Sequence, residues 1–191
     1  VCSECAPFAT LAVFHENEYG TVLGDVSGEA DLPCVRVSGF DQAYRAFSAA
    51  RRVLECRPVD ELVAVQREVR SVSLEAVLVD KDGAIASIVT GQIDQRPDDW
   101  TGAYPRRGRD LVVRNPEPVP EARRPLSLRP ASGVVVSANQ GGQGPERDRW
   151  CSFPEPLYRF QRIGALLDAR EQHDLDSLLA ISYDPFDVSA G

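Results

Sequence analysis

The sequence predicts an α+β chain in which a mostly antiparallel sheet is flanked by helices. Three observations carry this: apolar residues recur at helical spacing from Ala43 to Val69, the period changes to two after Leu74, and an Asp-Gly turn at Asp82-Gly83 separates two strand-like runs. With 191 residues, 43% hydrophobic and 26% charged, the chain can bury a sizeable core and reads as one partial domain over residues 1–191.

The elements follow in order. Ala9 to His15 and Gly20 to Gly24 read as short strands joined by a polar turn at Glu16-Asn17-Glu18. Asp41 is placed to cap a helix through Ala43, Tyr44, Phe47, Ala50 and Val53-Leu54. Pro58 breaks the chain before a second helix, Asp60 to Val69. Leu74 to Val79 and Ala84 to Thr90 are strands of a hairpin, with Asp80-Lys81-Asp82-Gly83 as its turn.

Gly91 to Pro130 holds half of the prolines and reads as a long surface excursion, irregular and Pro/Arg-rich over 97–130. Gly133 to Ala138, with Val134-Val135-Val136, reads as a β-branched strand ending at Asn139-Gln140-Gly141-Gly142. Pro156 to Arg170 is a helix with Leu157, Phe160, Ile163, Leu166 and Leu167 on one face. Asp174 caps a last helix through Leu178-Leu179.

Composition narrows the function classes. A net charge of −8 argues against a nucleic-acid partner, which would require surplus cations. The basic residues are nearly all arginine, Lys81 being the only lysine, and the Arg-rich run from Tyr104 to Pro130 reads as a solvated irregular surface. No stretch approaches the ~20 apolar residues of a membrane span. The chain starts at Val1 and contains no Met, so it is expected to be a fragment of a longer or processed protein.

Cys2 and Cys5 form a single C-x-x-C, but neither His15 nor His173 completes a zinc set, and Pro7 follows where a redox motif would start a helix. Together with Cys34, Cys56 and Cys151 they read as ordinary thiols, and the odd count gives no complete disulfide framework. The compartment stays open.

The run from Leu78 to Arg96, which includes Asp80-Lys81-Asp82-Gly83-Ala84-Ile85 and Thr90-Gly91-Gln92-Ile93, resembles a signature of the penicillin acylase (penicillin amidase) family. Further segments match that family in order: Trp100-Thr101-Gly102 with Pro105, Ser132-Gly133-Val134-Val135-Val136-Ser137-Ala138-Asn139-Gln140, and Tyr158-Arg159-Phe160-Gln161-Arg162-Ile163 with Leu166-Leu167. Glu18-Tyr19-Gly20-Thr21-Val22 fits more weakly.

The resemblance implies a piece of the αββα fold of N-terminal nucleophile hydrolases, from the large catalytic subunit. In that class a freed N-terminal Ser, Cys or Thr uses its own α-amino group as base and forms an acyl-enzyme from an amide. The implied substrates are small-molecule acyl amides, with β-lactam side-chain amides and N-acyl homoserine lactones as classes. The implied partner is the rest of the polypeptide or a small subunit. No cofactor is implied for the chemistry. Nothing here matches the family's Ser-Asn-x-Trp start, and Cys2 and Ser3 align with an internal strand downstream of the processing site. The fragment alone is therefore expected to be inactive; the alternative is a non-catalytic structural or assembly module of the same family.

Three residues carry over. Asn139 matches an Asn that donates its side-chain N–H to the oxyanion, and Arg159 matches a helix arginine that orients the site, with Arg162 one turn away as its competitor. Asp148 falls where some members bind calcium. Its companion ligands are expected upstream of Val1, so calcium is not expected to stay on the fragment.

Overall fold

The computed structural model describes residues 14–28, 31–71, 73–110, 116–141 and 150–186. The described residues up to Val37, with Pro105–Asp110, form one compact unit; Ser38–Tyr104 and the described residues from Pro116 onward form another. The first unit holds a small antiparallel sheet of β1 (Glu16–Asn17), β2 (Gly20–Val22) and β3 (Cys34–Val35), in that order. Its hairpin turns at Glu18-Tyr19, so Glu16-Asn17 is strand and not the expected turn. The Asn17 side chain accepts from Tyr19 N at 2.8 Å, which closes the turn two residues later than the polar run suggests. The expected strand from Ala9 lies outside the described residues as far as Val13.

The second unit contains α1 (Ala43–Val53), α2 (Val59–Glu68), β4 (Glu75–Val79), β5 (Ile85–Val89), β6 (Leu126–Leu128), α3 (Tyr158–Asp168) and α4 (Leu175–Ser182). Its sheet is antiparallel in the order β4-β5-β6. Four helices and two small antiparallel sheets make the described chain α+β.

Helix α2 presents two apolar stripes. Val59 and Val63 pack with Leu78, Ala86 and Ile88 of the sheet, while Val65 and the C-cap residue Val69 pack with Ala49. The i, i+4 spacing within each pair puts each stripe on its own face of the helix. Leu78, Ala86 and Ile88 lie on one face of the sheet by the register of β4 with β5. On the other face, Val89 packs with Ile93 and Trp150, whereas Val77 and Val79 stay 50% and 65% exposed.

The β4–β5 turn is built around one carboxylate. Asp80 Oδ1 accepts from Asp82 N at 3.0 Å and Ala84 N at 2.9 Å, and Oδ2 accepts from Val59 N at 2.9 Å. The last bond caps α2 from outside the helix, where Pro58 at the N-cap has no side chain able to do so. These backbone N–H groups, Val59 first and then Ala84, hold the Asp80 carboxyl below its ordinary value.

Further expectations need correction. Asp41 lies in a 3-10 turn, Phe40–Gln42, and Gln42 occupies the N-cap of α1, so the helix begins later than the pattern suggests. The excursion after Gly91 contains β6, three residues between Pro125 and Pro130 that pair with β5. Within that excursion Arg124 is buried: it donates to Gly91 O at 2.7 Å and faces Glu121 at 3.2 Å, so its charge is met by protein and not by water. Residues 133–138 form no strand: Val134 N bonds to Ser132 Oγ, and the carbonyls of Val136 and Ala138 accept from the side chains of Gln140 and Arg159 where a ladder partner would stand. The final helix behaves as read: Asp174 accepts from Ser177 N at 2.8 Å and Ser177 Oγ accepts from Asp174 N at 3.0 Å, a reciprocal cap.

Gly83 has φ +83° and open space where a Cβ would stand, so Gly83→Val is strained by its backbone alone. It should destabilise the protein by about 1–2 kcal/mol in a denaturant melt, with Gly83→Asn milder because Asn tolerates that region. Because the Asp80 carboxyl is depressed, its contribution is present above the ordinary carboxylate range and is lost as pH falls through its folded value. The melting temperature of Asp80→Ala should fall below the parent's at pH 7, and the gap should close on acidification below about pH 4.

Candidate functional site

The segment leading to Asn139 folds around the side chain of Gln140. That amide is almost completely buried: its Oε1 accepts from Ala138 N at 2.6 Å, and its Nε2 donates to Val136 O and to Glu75 Oε2, both at 3.3 Å. Ala138 and Gln140 are thereby held inside, and Asn139 between them is turned outward. Asn139 adopts φ +62°, a left-handed conformation that Asn enters more readily than most residues. Its own carbonyl accepts from Glu155 N at 2.8 Å.

Arg159, in the first turn of α3, reaches this turn from the other side. Its Nη2 donates to Ala138 O at 2.8 Å and to Asn139 Oδ1 at 3.0 Å. A guanidinium can only donate, so it selects the oxygen of the Asn139 amide and leaves the NH₂ end to point elsewhere. Among the described residues none takes those hydrogens, and Asn139 is exposed. The arrangement presents a fixed neutral N–H donor beside a cation, which suits an oxygen that gains negative charge.

Arg162 is committed otherwise. It forms a two-point pair with Asp184, at 2.7 and 3.3 Å, and its guanidinium lies 4.7 Å from the centroid of Phe186. That pairing holds the Asp184 carboxyl below its ordinary value. Of the two helix arginines, only Arg159 is bonded to Asn139.

Glu75 was not singled out in the sequence, where it stands as one carboxylate in the apolar run Leu74 to Val79. It is half-buried at the start of β4, and its Oε2 accepts from Ser137 Oγ at 2.9 Å as well as from Gln140. Burial pushes its carboxyl above the ordinary range, and the bond from Ser137 opposes that rise. The signal that could have found it is a charged residue where the strand pattern calls for an apolar one.

Asp148, Cys2 and Cys5 lie outside the described residues. Among the described residues, no three His, Cys, Asp or Glu side chains are grouped to hold a metal, and no helix is long and apolar enough to cross a membrane.

The sequence matches the penicillin amidase family over residues 9–191. It is also similar to the acyl-homoserine lactone acylase QuiP of Pseudomonas aeruginosa, at 26% identity over 196 residues. That match takes in 90% of this chain and 22% of the relative, so the chain spans about a fifth of the length of the curated relative it matches. The family match runs through the Asp80 turn, the Asn139 turn and α3 alike: the chain belongs to the penicillin amidase family.

Proposed function

We propose that this chain is part of an N-terminal nucleophile hydrolase that cleaves acyl amides, and that Asn139 donates to the oxyanion of the attacked carbonyl. The observation that carries the reading is the bond from Arg159 to Asn139 Oδ1, which fixes the amide with its N–H donors turned away from the arginine. Family membership supports amide hydrolysis as the chemistry. The name of the QuiP relative supports acyl-homoserine lactones as a substrate class alongside penicillin-type amides.

In the proposed reaction a nucleophile supplied by another part of the polypeptide attacks the amide carbonyl. The carbonyl oxygen becomes an oxyanion, the amine leaves, and water releases the acid from the acyl-enzyme. Asn139 favours the step because its donor is in place before charge develops, so no reorganisation accompanies the reaction. Arg159 keeps the amide from flipping and adds positive potential near the developing charge.

In the intact polypeptide, Asn139→Ala should lower kcat by ~10²–10³ and leave KM within a few-fold, when phenylacetyl and long-chain acyl amides are tested as substrates. A rise in KM alone would make Asn139 a substrate-binding residue, and no change in either would remove it from the site. Arg159→Ala should lower both kcat and melting temperature, because it frees Ala138 O and the Asn139 amide together. The 191-residue chain by itself should turn over neither substrate in a single-turnover assay.

A further inference from the structure

We infer that Glu75 is a positioning residue for Asn139: one carboxylate oxygen on the sheet anchors the turn that carries the oxyanion donor. The inference rests on the reading of Asn139 given above.

Glu75 Oε2 accepts from Ser137 and from Gln140, which stand two residues before and one residue after Asn139. Both bonds therefore flank the residue whose direction matters. Gln140 passes the constraint on, since the same Nε2 also holds Val136 O and its Oε1 holds Ala138 N. At the other end, Glu75 is paired with Val89 in the β4–β5 ladder and cannot shift without the sheet. Arg159 holds the side chain of Asn139, and Glu75 holds the side chains of the residues on either side of it, Ser137 and Gln140.

A stabilising role alone does not explain the choice of residue. The site half-buries a carboxylate, and among the described residues no arginine or lysine pairs with it. An apolar side chain in a strand would avoid that desolvation. What a leucine cannot do is accept two hydrogen bonds at one point. Misplacement of a reacting group by about 1 Å can cost on the order of a hundredfold in rate, so holding this turn affects the chemical step.

The test uses three substitutions in the intact polypeptide, with Asn139→Ala as reference. Glu75→Leu removes the acceptor, Glu75→Asp keeps the charge but draws it back by one methylene, and Glu75→Gln keeps a two-lone-pair oxygen in the same place. The expected result is a fall in kcat of about tenfold or more for Leu and Asp with KM within about threefold, and a Gln variant within about threefold of the parent. A role confined to stability would lower the melting temperature and leave kcat of the folded enzyme unchanged. If the Leu variant does not fold, the Asp and Gln pair decides the matter. Unchanged kcat for Asp, or a loss for Gln as large as for Asp, overturns the inference while a normal Asn139→Ala defect leaves the oxyanion reading standing. If Asn139→Ala itself leaves kcat unchanged, that reading fails and this one with it.

Discussion

Mutual burial of Val59, Val63, Leu78, Ala86 and Ile88 joins α2 to the β4–β5 hairpin, and α1 and β6 attach to the two sides of that join. Fully burying a side chain of this kind contributes about 1.5–3 kcal/mol. The ion pairs on the same elements, Arg52 with Glu68 and Arg129 with Asp60, are about half exposed and contribute little by comparison. The second stripe of α2 then seats α1 through Ala49, and β5 carries β6 on its free edge. Each layer uses a surface that the first contact leaves in place.

The polar side of the unit is attached to this apolar frame at few points. Glu75 leaves the first residue of β4 and meets Ser137 and Gln140, while Arg159 leaves the first turn of α3 and meets Ala138 and Asn139. The segment between them has no ladder of its own, so its shape is set from outside by side chains of a strand and a helix. Such a segment can be precise without regular secondary structure, provided its buried amide is satisfied, as that of Gln140 is.

What was legible in the sequence is what local chemistry decides. Pro58, the Asp82-Gly83 turn and the Asp174–Ser177 cap each act within a few residues, and the elements they bound stand where the pattern puts them. The run Val134 to Val136 misleads because a β-branched stretch needs a partner strand, which no local pattern supplies. Strand β6 is hidden because Leu126, Ser127 and Leu128 are too few to show a period. Asn139 and Arg159 were singled out by resemblance alone, and the bond between them has no signature in the sequence. The part of Glu75 rests on partners 62 and 65 residues away, a separation at which a single sequence has no pattern to read.

Asp80 also bears on the order in which the unit assembles. One carboxylate closes the hairpin turn and caps α2, across a separation of only 21 residues. Helix and hairpin are therefore neighbours in chain as well as in space, and bringing them together closes a short loop at small entropic cost. Of the contacts in the second unit, those within the α2–β4–β5 segment therefore cost less chain entropy to close than those that bring in the more distant β6 and the turn at Asn139. The amide of Val59 is where the two elements meet, since its only acceptor among the described residues is a side chain of the turn.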